Sequence, residues 1–309
     1  MIYVDPIATT DATVLAGTNT AEPAASEILW VANAVHALGD LRVRTTTHRV
    51  YRCVQAHGTR SVFPENDPQY WLDVKPTLRW APFDYYASTA NTTTANDITY
   101  VLSGRYVNAL WLDGLLGATV TVSVKDQVGG TLVFTKVITL KKAATGYWDY
   151  AFGQRYSDRT LFVEGLPIYP EAEITVTVSG SSGSTRAVGT IVRGKVLTIA
   201  YGDWGGTQWG AKAIPKTYTY RKVNDDGTFQ IIPRGSAVDL DCSVRMKVQY
   251  ADLAVEALTG LMGRPVVWLA TRVDGFKGLR TFGFAQKPSV SYNSGVAEIS
   301  NYIDGIVST

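Results

Sequence analysis

Thr119-Val-Thr-Val-Ser-Val124 alternates polar and apolar side chains without a break. Successive side chains of an extended chain point to opposite faces, so this stretch predicts a strand with one face buried and one face wet. Ile174-Thr-Val-Thr-Val-Ser179 repeats the pattern, and residues 131–140 (TLVFTKVITL) form a third β-branched run. Residues 125–130 (KDQVGG) read as the hairpin connection between the first and the third run, with glycines able to take positive φ. Residues 180–184 (GSSGS) end the second run as a polar loop. Working outward, further strands are predicted at 98–103, 107–112, 188–200, 215–223, 228–232, 243–250, 265–271, 279–285 and 296–303. Asn224-Asp-Asp-Gly227 supplies the turn between two of them.

Two segments have a helical period. Residues 251–262 (ADLAVEALTGLM) space Leu253, Ala254, Ala257, Leu258 and Leu261 by three and four. Asp252 suits the positive N-terminal end, and Gly263 with Pro265 stops the run. Residues 24–38 (AASEILWVANAVHAL) fit the same period. The chain therefore reads as all-β: many short strands, frequent glycine and proline turns, and one short helix near the C-terminus. Three blocks are expected. Residues 1–80 form a small β module, 81–185 a jelly-roll-like β-sandwich, and 186–309 a β-rich domain with the helix at 251–262.

Composition narrows the function. The 309 residues are 46% hydrophobic and 18% charged, too apolar for a disordered chain. A net charge of +2 gives no electrostatic case for nucleic acid or an anionic membrane, and Lys141-Lys142 is only a pair of basic residues. No window approaches the ~20 apolar residues that cross a bilayer. The first residues, MIYVDPIATTDATV, carry acid and proline where a signal peptide is basic and then apolar, which predicts cytoplasmic synthesis without one. Cys53 and Cys242 are expected as two reduced, packed thiols.

The chain is poor in groups that do chemistry. His36, His48 and His57 show no metal-ligand spacing and are expected on surfaces or turns. No GxSxG elbow and no phosphate-cradling glycine motif occurs. Gly202-Asp-Trp-Gly-Gly206 matches such a motif only in glycine content. Asp239 and Asp241 share one face of a predicted strand and Asp225-Asp226 sit in a turn, a pattern common on solvated faces. Asn224–Gly227 lacks the distal Glu of a calcium loop. No catalytic residue, metal or cofactor is expected. What remains is 8 Trp, 17 Tyr and 9 Phe. Exposed on a β-scaffold, such rings stack on sugars; otherwise they pack in cores and interfaces. The candidates are Trp30, Tyr51, Tyr70, Trp71, Trp204 and Trp209.

Trp30, Gly39-Asp40, Val43, Tyr51-Arg-Cys53, Pro64, Pro68 and Trp71 together resemble the small chitin-binding-type carbohydrate module of bacterial chitinases. The resemblance covers about 40 residues, with a longer and more polar insert at 41–49. It implies an extended segment at 30–38, in place of a helix, and sugar stacking by Trp30, Tyr51 and Trp71. Modules of this type recur near the N-termini of tailed-bacteriophage tail proteins. Thr77-Leu-Arg-Trp-Ala-Pro-Phe-Asp84 resembles the TNRW-x-x-FD segment that follows the module in tail and baseplate-associated proteins. Val107–Leu112, Gly117–Val122, Gly189–Gly194 and Val266–Leu269 look like the jelly-roll and later strands found there.

The resemblance implies a structural virion protein at the tail tip, baseplate or fibre attachment. Such a protein assembles by β-surfaces with other tail or baseplate proteins, and a homo-oligomeric ring is expected. Low charge and many aromatics suit permanent interfaces, whose buried centres are depleted in charge. Its location would be the virion tail, without membrane insertion. The alternative is a carbohydrate-binding host-adsorption module that contacts a host surface glycan, with Trp204 and Trp209 as further stacking residues. A polysaccharide-degrading tail enzyme is the third reading.

Overall fold

A computed structural model of the chain describes every residue except 85–88, 143, 145, 154–156, 200–203, 274 and 308–309. The described residues form an all-β chain with two short α-helices, Tyr147–Phe152 and Ala251–Leu261.

The alternating stretches pair with one another. A four-stranded antiparallel sheet runs Ile98–Ser103, Glu173–Ser179, Thr119–Lys125, Leu132–Thr139. Its register sets Ile174 against Val124, Val176 against Val122 and Val178 against Val120, so the apolar faces coincide. All six side chains are buried. Each contributes roughly 1.5–3 kcal/mol of hydrophobic stabilisation. A one-residue slip would turn every one of them to water. This face packs on Leu110, Leu112, Val163 and Ile191 of a second sheet, which makes a β-sandwich.

The second sheet has ten strands and curls into a half-barrel. Its main path is Leu161–Glu164, Ala109–Asp113, Thr190–Thr198, Ile2–Pro6, Val266–Leu269, Arg280–Tyr292, Val296–Gly305, Ser236–Lys247, Gly206–Thr207, with Lys212–Thr217 also paired to Ser236–Lys247. It draws strands from all three sequence blocks. Ile2–Pro6 lies at its centre, between Thr190–Thr198 and Val266–Leu269. At Gly194 a Cβ would stand 2.0 Å from the Asp5 carbonyl oxygen, so this crossing requires glycine. The helix predicted at 251–262 spans Ala251–Leu261 and lays Ala254, Leu258 and Leu261 on Tyr3, Met246, Trp268 and Ile299. Gly263, at φ +81°, ends it.

Residues 28–76 make a separate three-stranded sheet of Leu41–Arg44, Arg49–Cys53 and Trp71–Pro76. The helical period at 24–38 does not become a helix. Leu29 bridges to Val43 and His36 to His57, with turns at 32–33 and 38–39, so residues 30–38 are neither a helix nor the continuous extended segment that the resemblance implied. Its apolar spacing was misleading because Ile28, Val31, Val35 and Leu38 are exposed, while Trp30 and His36 turn inward. The Tyr147–Phe152 helix was not predicted. Six residues between Gly146 and Gly153 are too few to display a helical period.

The TNRW-like segment joins module to sandwich. Glu22, nearly buried, accepts hydrogen bonds from Thr77 Oγ1 (2.6 Å), Trp80 Nε1 (3.0 Å) and His48 Nδ1 (3.0 Å). Glu27 accepts from the Leu78 and Ala24 amides at 2.7 and 2.8 Å. Phe83 then meets Tyr100 edge-on at 5.5 Å.

Candidate functional site

The structure separates the predicted aromatics into two groups. Trp30, Tyr51 and Trp71 are 8%, 5% and 3% exposed and, with Cys53, form the core of the three-stranded module. Their faces are taken by protein. Trp30 meets Phe63 edge-on at 5.4 Å, with the Arg44 guanidinium 4.0 Å from the Phe63 ring centre. His36 packs edge-on against Trp71 at 4.9 Å, and Arg60 lies 4.0 Å over Tyr70. This corrects the expectation that Trp30, Tyr51 and Trp71 present sugar-stacking platforms. In so small a sheet the largest rings bury the most apolar surface, and they form the core while Leu41, Leu72 and Val74 stay exposed. His36 is also buried, rather than on a surface or turn, and burial lowers its pKa. Cys53 and Cys242 are free and buried, and burial pushes the Cys242 thiol up to about 11.

Trp204 and Trp209 are 45% and 96% exposed. They flank the two-residue edge strand Gly206–Thr207, which Thr207 Oγ1 pins to the Ala270 carbonyl at 2.6 Å and Gln208 pins through its amide to the Ser243 carbonyl at 2.8 Å. Gly202 and Asp203 of the same predicted loop lie outside the described residues. Tyr147, Trp148, Tyr150 and Phe152 form another exposed aromatic surface, where Trp148 stacks on Phe152 at 5.4 Å.

A further uncovered feature is a β-arm. Lys212–Thr217 pairs with Ser236–Lys247 at the sheet edge, and the same two chain segments continue outward as the hairpin Tyr220–Val223/Phe229–Ile232. Asn224–Gly227 turns it, with Gly227 at φ +80° and Asp226 accepting from both the amide and hydroxyl of Thr228. Every residue from 220 to 236 is exposed. Opposed residues share a face, so Arg221, Ile231, Val223 and Phe229 line one side of the arm, and Tyr220, Ile232, Lys222 and Gln230 the other. An isolated two-stranded hairpin is marginal in water. Five large apolar side chains on such a hairpin gain stability only when something covers them. The sequence located both strands and the turn here; it gave no signal that, among the described residues, their side chains stay exposed.

The arm's root is polar and closed. Lys216 Nζ lies 2.6 Å from Asp239 Oδ1 and also pairs with Asp304. Tyr302 donates to Asp239 Oδ2 at 2.6 Å, and the Gly305 amide to Oδ1 at 2.8 Å. Burial pushes the Asp239 carboxyl up, but these donors together hold it below its ordinary value. Burial likewise opposes the Lys216 charge, and its carboxylate partners raise its pKa. Asp239 is therefore engaged within the fold. Among the described residues no group of three or more His, Cys, Asp or Glu side chains is placed to hold a metal, and no helix is long and apolar enough to cross a membrane. Comparison with protein-family models, curated proteins and solved structures gives no match.

Proposed function

We propose that this chain is a structural protein of a tailed-phage particle, placed at the tail tip, baseplate or fibre attachment, where it assembles by β-surfaces with its own copies and with other tail proteins. The uncovered arm at 220–232 carries the reading: an ordered hairpin with Tyr220, Val223, Phe229, Ile231 and Ile232 in solvent is built to be covered by a partner. The TNRW-like segment and the module pattern supply the link to tail proteins. Cryo-electron microscopy of assembled particles tests the proposal. Repeated copies at the tail end are expected, and particles that lack the chain would contradict it.

Trp209 favours a second reading, binding of a host surface glycan. Its nearly fully exposed indole, with Trp204 across the same edge strand, offers a face for a sugar ring. Glycan-array binding that disappears in Trp209→Ala would support it, and binding unchanged in that variant would remove the site.

A further inference from the structure

We infer that the arm of one chain seats in the cleft beside the Ala251–Leu261 helix of a second copy. The inference rests on the assembly reading and names its contact. Every arm residue is exposed, so the arm does not lie on its own helix. On the arm, Val223, Phe229 and Ile231 form one apolar face with Arg221 at its border. Arg234 adds positive charge nearby, Lys222 lies on the opposite face, and among the described residues none of these cations has a carboxylate within ion-pair distance. Lys216, the cation at the root, is already engaged.

The helix is the complement. Its eleven residues, ADLAVEALTGL, hold Asp252 and Glu256 and no basic side chain. Leu253 and Val255 are exposed beside them, and Met262 follows at the end. A cleft of about 300 Å³ runs along this helix, floored by Tyr3, Leu253, Ala257 and Leu261. Gly260 leaves its wall open, since a Cβ there would meet nothing within 4 Å. Asp5 and Arg264, 2.9 Å apart, neutralise each other at one end, which leaves Glu256 as the uncompensated charge in the cleft. An apolar strand face bordered by arginine fits an apolar cleft bordered by glutamate. The arm and the cleft are different surfaces, so each copy gives one and receives one. Such head-to-tail contacts generate rings when the rotation closes.

Two preparations of the full chain test this, Val223→Cys and Leu253→Cys, both at exposed positions. The native cysteines are buried and do not compete. Mixed and mildly oxidised, the two should give a disulfide-linked dimer that neither gives alone. In sedimentation, Arg221→Glu or Glu256→Arg should each weaken self-association by about tenfold or more, and the double reversal should restore it. Cross-linking of Val223→Cys with itself but not with Leu253→Cys would overturn the inference in favour of arm-to-arm packing. Self-association that both charge reversals leave intact would overturn it too, while the assembly reading stood. A wild-type chain that stays monomeric and is absent from particles would overturn both.

Discussion

Lys216 and Asp239 meet at 2.6 Å where the arm leaves the half-barrel, and with Asp304, Tyr302 and Gly305 they tie three strands together. Asp239 belongs to Ser236–Lys247, Lys216 to Lys212–Thr217, and the Tyr302 hydroxyl and Gly305 amide that complete the carboxylate's shell belong to Val296–Gly305. The arm thus has a fixed root and a bare outer half. A fixed root cuts the ordering cost of binding, because the outer strands are already held in register before a partner arrives.

Asp239→Asn should destabilise the chain by about 2 kcal/mol near neutral pH, since it removes the buried one of the two carboxylates that Lys216 pairs with. The Asp239 carboxyl is held below its unfolded value, so its contribution is complete above the unfolded carboxylate pKa of about 4 and is lost as pH falls through the folded value. Urea unfolding of wild type and variant should therefore show a gap at about pH 7 that narrows at about pH 3. A gap of equal size at both values would contradict the ion-pair account.

Glu22→Ala should loosen the module from the sandwich. It strips the acceptor from Thr77, Trp80 and His48 together, at a cost of about 3 kcal/mol. Limited proteolysis should cut between module and sandwich faster in the variant, with Glu22→Gln in between. Equal cleavage rates would show that the junction is held by other contacts.

Trp71→Ala and Trp209→Ala should behave oppositely. The first removes the centre of the module's core and should cost about 3–5 kcal/mol. The second alters a solvated ring and should change stability by less than about 0.5 kcal/mol. Thermal unfolding followed by tryptophan fluorescence separates them. A stable Trp71→Ala chain would mean the module does not depend on that ring.

The strands were legible in the sequence where one face is buried. The strands predicted at 98–103, 119–124, 131–140 and 174–179 became the four-stranded sheet, and the spacing at 251–262 became the helix that packs on the half-barrel. Pairing between distant strands was not legible. Nothing local in Ile2–Pro6 indicates that it fits between Thr190–Thr198 and Val266–Leu269, because that placement depends on partners nearly 200 and 270 residues away, as Ile2↔Thr198 and Ile2↔Leu269 record. Nor was exposure legible. Tyr220, Val223, Phe229 and Ile231 have the composition of a packed strand, and only the fold leaves them bare. The aromatics erred in the other direction at Trp30, Tyr51 and Trp71. A ring's identity does not say which side of a small sheet it fills, and here the rings point inward while Leu41, Leu72 and Val74 stay exposed.

In the proposed assembly the arm is covered by a partner. Replacing residues 220–232 with Asn-Gly keeps the paired root and supplies a tight turn. Light scattering of this chain beside wild type is the most direct measurement. A folded monomer with an unchanged unfolding midpoint is expected, beside a wild type that self-associates. An arm-less chain that assembled as wild type does would contradict it.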